Sequence, residues 1–159
     1  MYFFRKPIAI IVIVIACCVL AVSCGESRDV QCNKLTEVVT KGNALIDSKK
    51  NSNDTATTKN LAKDLNRTAK QLEGLRLTDE NLKEFQKQSV KSFREMGQAL
   101  RDIGKALDAG NRASTSLEGR EQIQKARADI VRAGQRANQD AQSQDALTEK
   151  LIKYCKGDR

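Results

Sequence analysis

Residues 79–109, DENLKEFQKQSVKSFREMGQALRDIGKALDA, decide the fold. Leu82, Phe85, Phe93, Met96, Leu100, Ile103 and Leu107 recur in this stretch at spacings of three, four and eight residues. That period stacks side chains along one face of a helix. Charged and amide side chains fill the remaining positions. Thr78 is placed to cap the start and Gly110-Asn111 to end it, which predicts a helix from about Asp79 to Ala109. Gly97 and Gly104 share a stripe with Leu100. Glycine weakens a helix interior by up to about 1 kcal/mol relative to alanine, so two of them on one stripe imply close approach of a neighbouring helix.

The same pattern extends in both directions. Upstream, Leu61, Leu65, Ala69, Leu72 and Leu75 predict a helix that starts after an Asp54 or Thr55 cap and runs to about Arg76. Before it, Cys32, Leu35, Val39, Gly42 and Ile46 predict another from about Asp29 to Lys50, with a turn at residues 51–54. Downstream, Ile123, Ala126, Ile130, Ala133, Ala137, Ala141, Leu147, Leu151 and Tyr154 line a helix from about Leu117 to Tyr154. Its alanine-rich middle either packs closely on a neighbour or frays. Proline is absent after Pro7, and good helix formers dominate. The reading is all-α: an antiparallel up-down four-helix bundle over residues 29–155, with residues 156–159 as a disordered end. A three-helix form or an extended helical hairpin is the alternative. Because the first two helices are the shorter pair, the far parts of the last two are expected to project as a hairpin.

The chain begins differently. Met1–Pro7 carries Arg5 and Lys6 and no acid, and Ile8–Leu20 is 13 uncharged, strongly apolar residues. A membrane-spanning helix needs about 20 apolar residues, so the order of parts is that of a cleaved signal peptide. A retained anchor stretched to Ser23 is the alternative. The next stretch, Leu20-Ala21-Val22-Ser23-Cys24-Gly25, resembles the lipobox of bacterial lipoproteins. The resemblance covers only the first 25 residues. It implies removal of residues 1–23, a diacylglycerol and a fatty acyl group such as palmitate on Cys24, and a lipidated tether over residues 24–28. Ala21 stands where leucine is commonest. Gly25 is not the Asp that the family uses for inner-membrane retention, so in a diderm host the resemblance favours the outer membrane. The location implied is the cell envelope, on the extracytoplasmic (periplasmic) side of a membrane. Each buried CH₂ contributes about 0.8 kcal/mol and stable anchoring takes more than one chain, a condition that the two or three chains of a processed lipoprotein meet.

The cysteines then sort. Cys17 and Cys18 leave with the signal and Cys24 is acylated, which leaves Cys32 and Cys155. In an oxidising compartment such a pair is a disulfide candidate; two buried free thiols are the alternative. In an up-down bundle the start of the first helix and the end of the last fall at one end, where these two cysteines lie. A bridge would close a loop of roughly 120 residues, worth about 4–5 kcal/mol in the chain-entropy picture. The lipid on Cys24 would leave from the same end.

For chemistry the sequence is mostly exclusive. There is no histidine, which removes bis-His haem ligation, His-based zinc hydrolysis and His-dependent nucleophile sites. No glycine-rich phosphate loop is present, and Cys32 and Cys155 are not a C-x-x-C pair. Ser89 with Lys83 and Ser92 with Lys91 are at best neighbours on a helix surface. Glu80 and Glu84 sit near Lys83 and Lys87, the pattern of a solvated ion-pair surface. The expectation is no enzyme, no metal and no cofactor beyond the lipid on Cys24.

Residues 1–23 hold two of the 28 basic residues and none of the 20 acids, so the remainder has a net charge of +6. Lys87, Lys91, Arg94, Arg101 and Lys105 form a basic stripe on the third helix, a candidate surface for an anionic partner. A plain solvated face is the alternative. The basic runs lack the interleaved aromatics that stack bases, so nucleic acid is not expected. The function expected is a membrane-anchored, non-enzymatic accessory or interaction protein of an envelope or membrane complex. Its architecture is similar to that of small helical-bundle lipoproteins such as the cyanobacterial PsbQ-like subunits, on fold analogy alone. A lipid- or small-ligand-binding bundle, with a pocket beside Gly97, Gly104, Ala133 and Ala137, and a surface-exposed adhesin or envelope spacer are the alternatives.

Overall fold

Helix-forming sequence, capped at each start, gives four helices in the computed structural model, which describes residues 26–49 and 54–157. The signal segment, Cys24, the start of the tether, residues 50–53 of the first turn and the last two residues lie outside the described residues. The helices are α1 (Arg28–Lys49), α2 (Thr55–Glu73), α3 (Glu80–Asn111) and α4 (Leu117–Lys156), and no strand occurs among the described residues. Asp54, Asp79 and Ser116 cap α2, α3 and α4, each accepting from the backbone N–H three residues on. Such caps satisfy donors that a helix start leaves unpaired.

The connectivity is up-down-up-down. Cys32 bonds Cys155, and the Asn43 amide donates to Thr148 Oγ1, so α1 runs against α4. Lys59 pairs with Asp108 and Arg94 with Glu73, so α2 runs against α3. Arg136 pairs with Asp102, while the Ser92 hydroxyl donates to the Asp140 carbonyl, so α3 runs against α4. The four helices enclose one core. Phe93, Leu35, Leu65, Leu72, Leu82 and Leu151 are each under 2% exposed, and burial of such a side chain contributes about 1.5–3 kcal/mol. Phe93 is central and its ring lies against Gly42: a Cβ there would sit 2.5 Å from Phe93 Cζ. Only glycine lets α1 approach this closely. The glycines of α3 act in the same way, Gly97 against Asn66 and the Ala62 carbonyl, Gly104 against Lys59.

Four local readings need correction. Asp79, not Thr78, caps α3, because Thr78 Oγ1 accepts instead from the Gln31 side chain at 2.9 Å. α2 ends at Glu73 rather than near Arg76. The Gln86 amide, donating to the Leu72 and Leu75 carbonyls, stands in for the next helical turn. α4 continues to Lys156, where Gly157 closes it at φ +70°.

The expected two-helix projection is the fourth. α2 is staggered along α3: Glu73, its last residue, pairs with Arg94, fourteen residues into α3, about 21 Å at 1.5 Å per residue. At the other end Lys59 of α2 meets Asp108. The short second helix therefore lies beside the far half of α3, and residues 75–78 run back along its near half, burying Leu77. α1 stops short of the far end. The near half of the bundle has α1, α3 and α4 closed by the extended run 75–78, and the far half has α2, α3 and α4 with nothing in the fourth place among the described residues.

Candidate functional site

The missing quarter of the far half is an apolar groove. α2 and α4 both pack on α3, but no Cα of α2 comes within 8 Å of one of α4 among the described residues. α1 closes one end of the space with Ile46 and Lys49, and α2 supplies Thr57, Thr58, Leu61 and Leu65. Met96, Leu100, Ile103 and Leu107 form the floor, and Ile130, Gly134, Ala137 and Ala141 the α4 wall. The volume is about 340 Å³, within the usual range of small-molecule pockets. The floor from Met96 to Leu107 is about 16 Å long at helical rise. Gly134 widens the opening, since a Cβ there would meet nothing within 4 Å.

The sequence places a pocket beside Gly97, Gly104, Ala133 and Ala137, and only Ala137 lines this one. Gly97 and Gly104 are filled by α2, and Ala133 is fully buried. The small residues mark where helices touch, whereas the groove lies where a helix is lacking. A helix that stops early leaves its neighbours' apolar stripes in place, so their periodicity carries no trace of the gap.

One turn from Ala141 lies a buried polar layer. Gln144 is 1% exposed. Its amide nitrogen is 3.5 Å from Ser89 Oγ and 3.4 Å from Thr148 Oγ1, while its Oε1 and Asn43 Oδ1 accept no hydrogen bond among the described residues.

The basic stripe of α3 is on the surface, but its charges are not equivalent. Arg94 pairs with Glu73 of α2 at 2.8 Å, and Lys91 lies 3.9 Å from Glu95. Arg101 donates twice to the Gln98 side chain. Lys87 and Lys105 form no ion pair among the described residues. Lys105 belongs to a second cleft, on the opposite side of the α3–α4 pair, together with Arg112, Lys125, Arg132, Arg136, Asp102 and Asp129. Arg132 and Arg136 are paired with Asp129 and Asp102. The charge left over in that cleft comes from Lys105, Arg112 and Lys125, so the uncompensated part of the basic surface straddles two helices instead of running down one.

The bridged end carries a third cluster. The Cys32 and Cys155 Cα atoms are 5.6 Å apart. Beside them the Tyr154 ring packs on Phe85 and under the Arg28 guanidinium. Gln31, 2% exposed, accepts from the backbone N–H groups of Thr78 and Asp79 and donates to the Glu26 carbonyl and Thr78 Oγ1. The Leu82 N–H that Asp79 caps holds its carboxyl below the usual range; Tyr154 and Arg28 add to this, and partial burial opposes it. All of these groups serve each other, which is the arrangement of a structural clasp. Burial, with Glu95 adding, pushes the Asp140 carboxyl on α4 up. No group of three or more metal-ligating side chains occurs among the described residues. Compared with known proteins, the chain matches no family model, no curated protein and no solved structure.

Proposed function

We propose that this protein is a non-enzymatic binding module of the cell envelope, held by lipid on Cys24 to the extracytoplasmic side of a membrane, the outer one in a diderm host. It binds through the open quarter of its bundle. The observation that carries this reading is the 340 Å³ groove, an apolar surface left unfilled by the described residues, which otherwise build a closed core. The lipobox resemblance supports the tether. No helix of the described residues is long and apolar enough to cross a membrane. The tether leaves from the bridged end of α1, and the groove begins beyond the other end of that helix, on the part directed away from the membrane.

The test is light crosslinking in native membranes, followed by capture of the tagged chain and mass spectrometry of co-eluting proteins and lipids. A stoichiometric companion that is lost in Gly134→Leu is the expected result, because that side chain would occupy the groove. Recovery of the chain alone from membranes in which control complexes crosslink well would contradict it.

A second reading has its own observation, the uncompensated Lys105, Arg112 and Lys125. It is an accessory subunit that docks on the acidic face of a membrane protein complex. A companion that survives Gly134→Leu but is lost when Lys105 and Lys125 are reversed to Glu would select it. Loss on reversal of Lys91 and Arg94 alone would place the docking face on the α2–α3 side.

A further inference from the structure

We infer that the groove takes a single-chain anionic amphiphile, with its acyl chain along α3 and its acidic head at Lys49. This rests on the groove being a binding site at all, as proposed above. The chemistry of the lining argues for the ligand class. The floor and the α4 wall are aliphatic, with no aromatic ring and no hydrogen-bonding side chain. Met96 and the leucines have rotatable side chains that can follow a flexible chain.

Polarity is confined to one part of the rim. Among the described residues Lys49, Thr57 and Thr58 are the polar lining residues, and all three flank the α1–α2 connection. The Thr58 hydroxyl is committed to the Asp54 carbonyl. The Thr57 hydroxyl and the Lys49 ammonium have no partner among the described residues, and Lys49 is the one charged group in the lining among those residues. Polar groups at one place and aliphatic surface elsewhere match a head and a tail. The volume lies at the small end of the ligand range and suits one chain, not the pair of a diacyl lipid.

A free fatty acid and a lysophospholipid share this chemistry, and competition separates them. The full chain is placed in phosphatidylcholine nanodiscs with a diazirine-bearing palmitate, irradiated and mapped by mass spectrometry. Label is expected on residues 96–107 and 130–141. It should fall to background in Gly134→Leu, a variant expected to melt no lower than the parent because its new side chain enters open space. Lys49→Glu should weaken labelling about threefold, the scale of one exposed ion pair. Excess palmitate should compete and hexadecyltrimethylammonium should compete less; stronger competition by lysophosphatidylglycerol than by palmitate would make the lysophospholipid the ligand. Label spread along the chain, or unchanged in Gly134→Leu, overturns the inference. If that happens while a protein companion is lost in Gly134→Leu, the binding-module reading stands and the ligand class falls. If neither labelling nor a companion depends on Gly134, both fall.

Discussion

The Tyr154 hydroxyl donates to the Asp79 carboxylate, 3.0 Å from one oxygen and 2.9 Å from the other, and so ties the last turn of α4 to the residue that caps α3. Asp79 thereby serves two helices, and its charge is worth more in the folded chain than in the unfolded one. Its depressed pKa fixes the sign. The stabilisation is present above the unfolded value, near 3.8, and is lost as pH falls through the lower folded value. Asp79→Ala is expected to cost about 1–2 kcal/mol at neutral pH, through the lost cap and hydrogen bond. Urea unfolding at neutral pH and at about pH 2.5, below the ordinary carboxylate range, checks this: the gap between parent and variant should narrow in acid.

Asp140 has the opposite sign. Its raised pKa means that the folded chain disfavours the ionised carboxylate. Asp140→Asn is therefore expected to stabilise at neutral pH, with a gain that shrinks as pH falls through the raised value. The same pair of titrated unfolding curves measures it.

The Cys32–Cys155 bridge spans 123 residues of sequence. The chain-entropy picture gives such a loop about 5 kcal/mol, and measured gains are often lower. Reduction, or replacement of both cysteines by alanine, should lower the melting temperature by roughly 10–20 °C for a domain of this size. Because α1 makes the least extensive packing with the rest, hydrogen exchange should rise first in residues 28–49.

Two glycines separate packing from propensity. Gly42→Ala drives a Cβ to within 2.5 Å of Phe93 Cζ and 2.8 Å of Thr68 Cγ2, and should cost about 1–3 kcal/mol by overpacking. Gly134→Ala meets nothing within 4 Å and should stabilise by about 0.5–1 kcal/mol, as expected for glycine replaced in a helix interior. Thermal melts of the two variants should move in opposite directions.

Gln144 sits in the core with an unmatched carbonyl oxygen and long bonds on its nitrogen. Gln144→Met keeps the length and removes the polar atoms. It should be neutral or stabilising by about 1 kcal/mol, read from the midpoint of urea unfolding.

Most of this architecture was legible in the sequence because helical period and burial coincide. The stripe of Leu82, Phe93 and Met96 is buried as its spacing predicts, and the cysteine positions agree with the antiparallel order of the helices. Three things were hidden for physical reasons. Thr78 and Asp79 both suit a cap, and a side chain 47 residues away, Gln31, determines which one serves. The stagger of α2 depends on an extended run, residues 75–78, that no helical period reports. The groove follows from that stagger and from the early end of α1. Its lining residues read as ordinary core, since Leu61, Leu100 and Ile130 keep the same spacing whether or not a fourth helix covers them. The period of the basic stripe is legible in the sequence, but Glu73 of α2 pairs with Arg94 across helices, and one-dimensional spacing does not show that partner.

The measurement that tests the account most directly is intact-mass analysis of the chain extracted from its own membranes. A binding module tethered through Cys24 should appear as a chain beginning at Cys24, heavier by a diacylglyceryl and a fatty acyl group, with the Cys32–Cys155 bridge intact. A chain that still begins at Met1, or one that begins elsewhere and carries no lipid, would contradict the tether and with it the proposed place of this protein at a membrane.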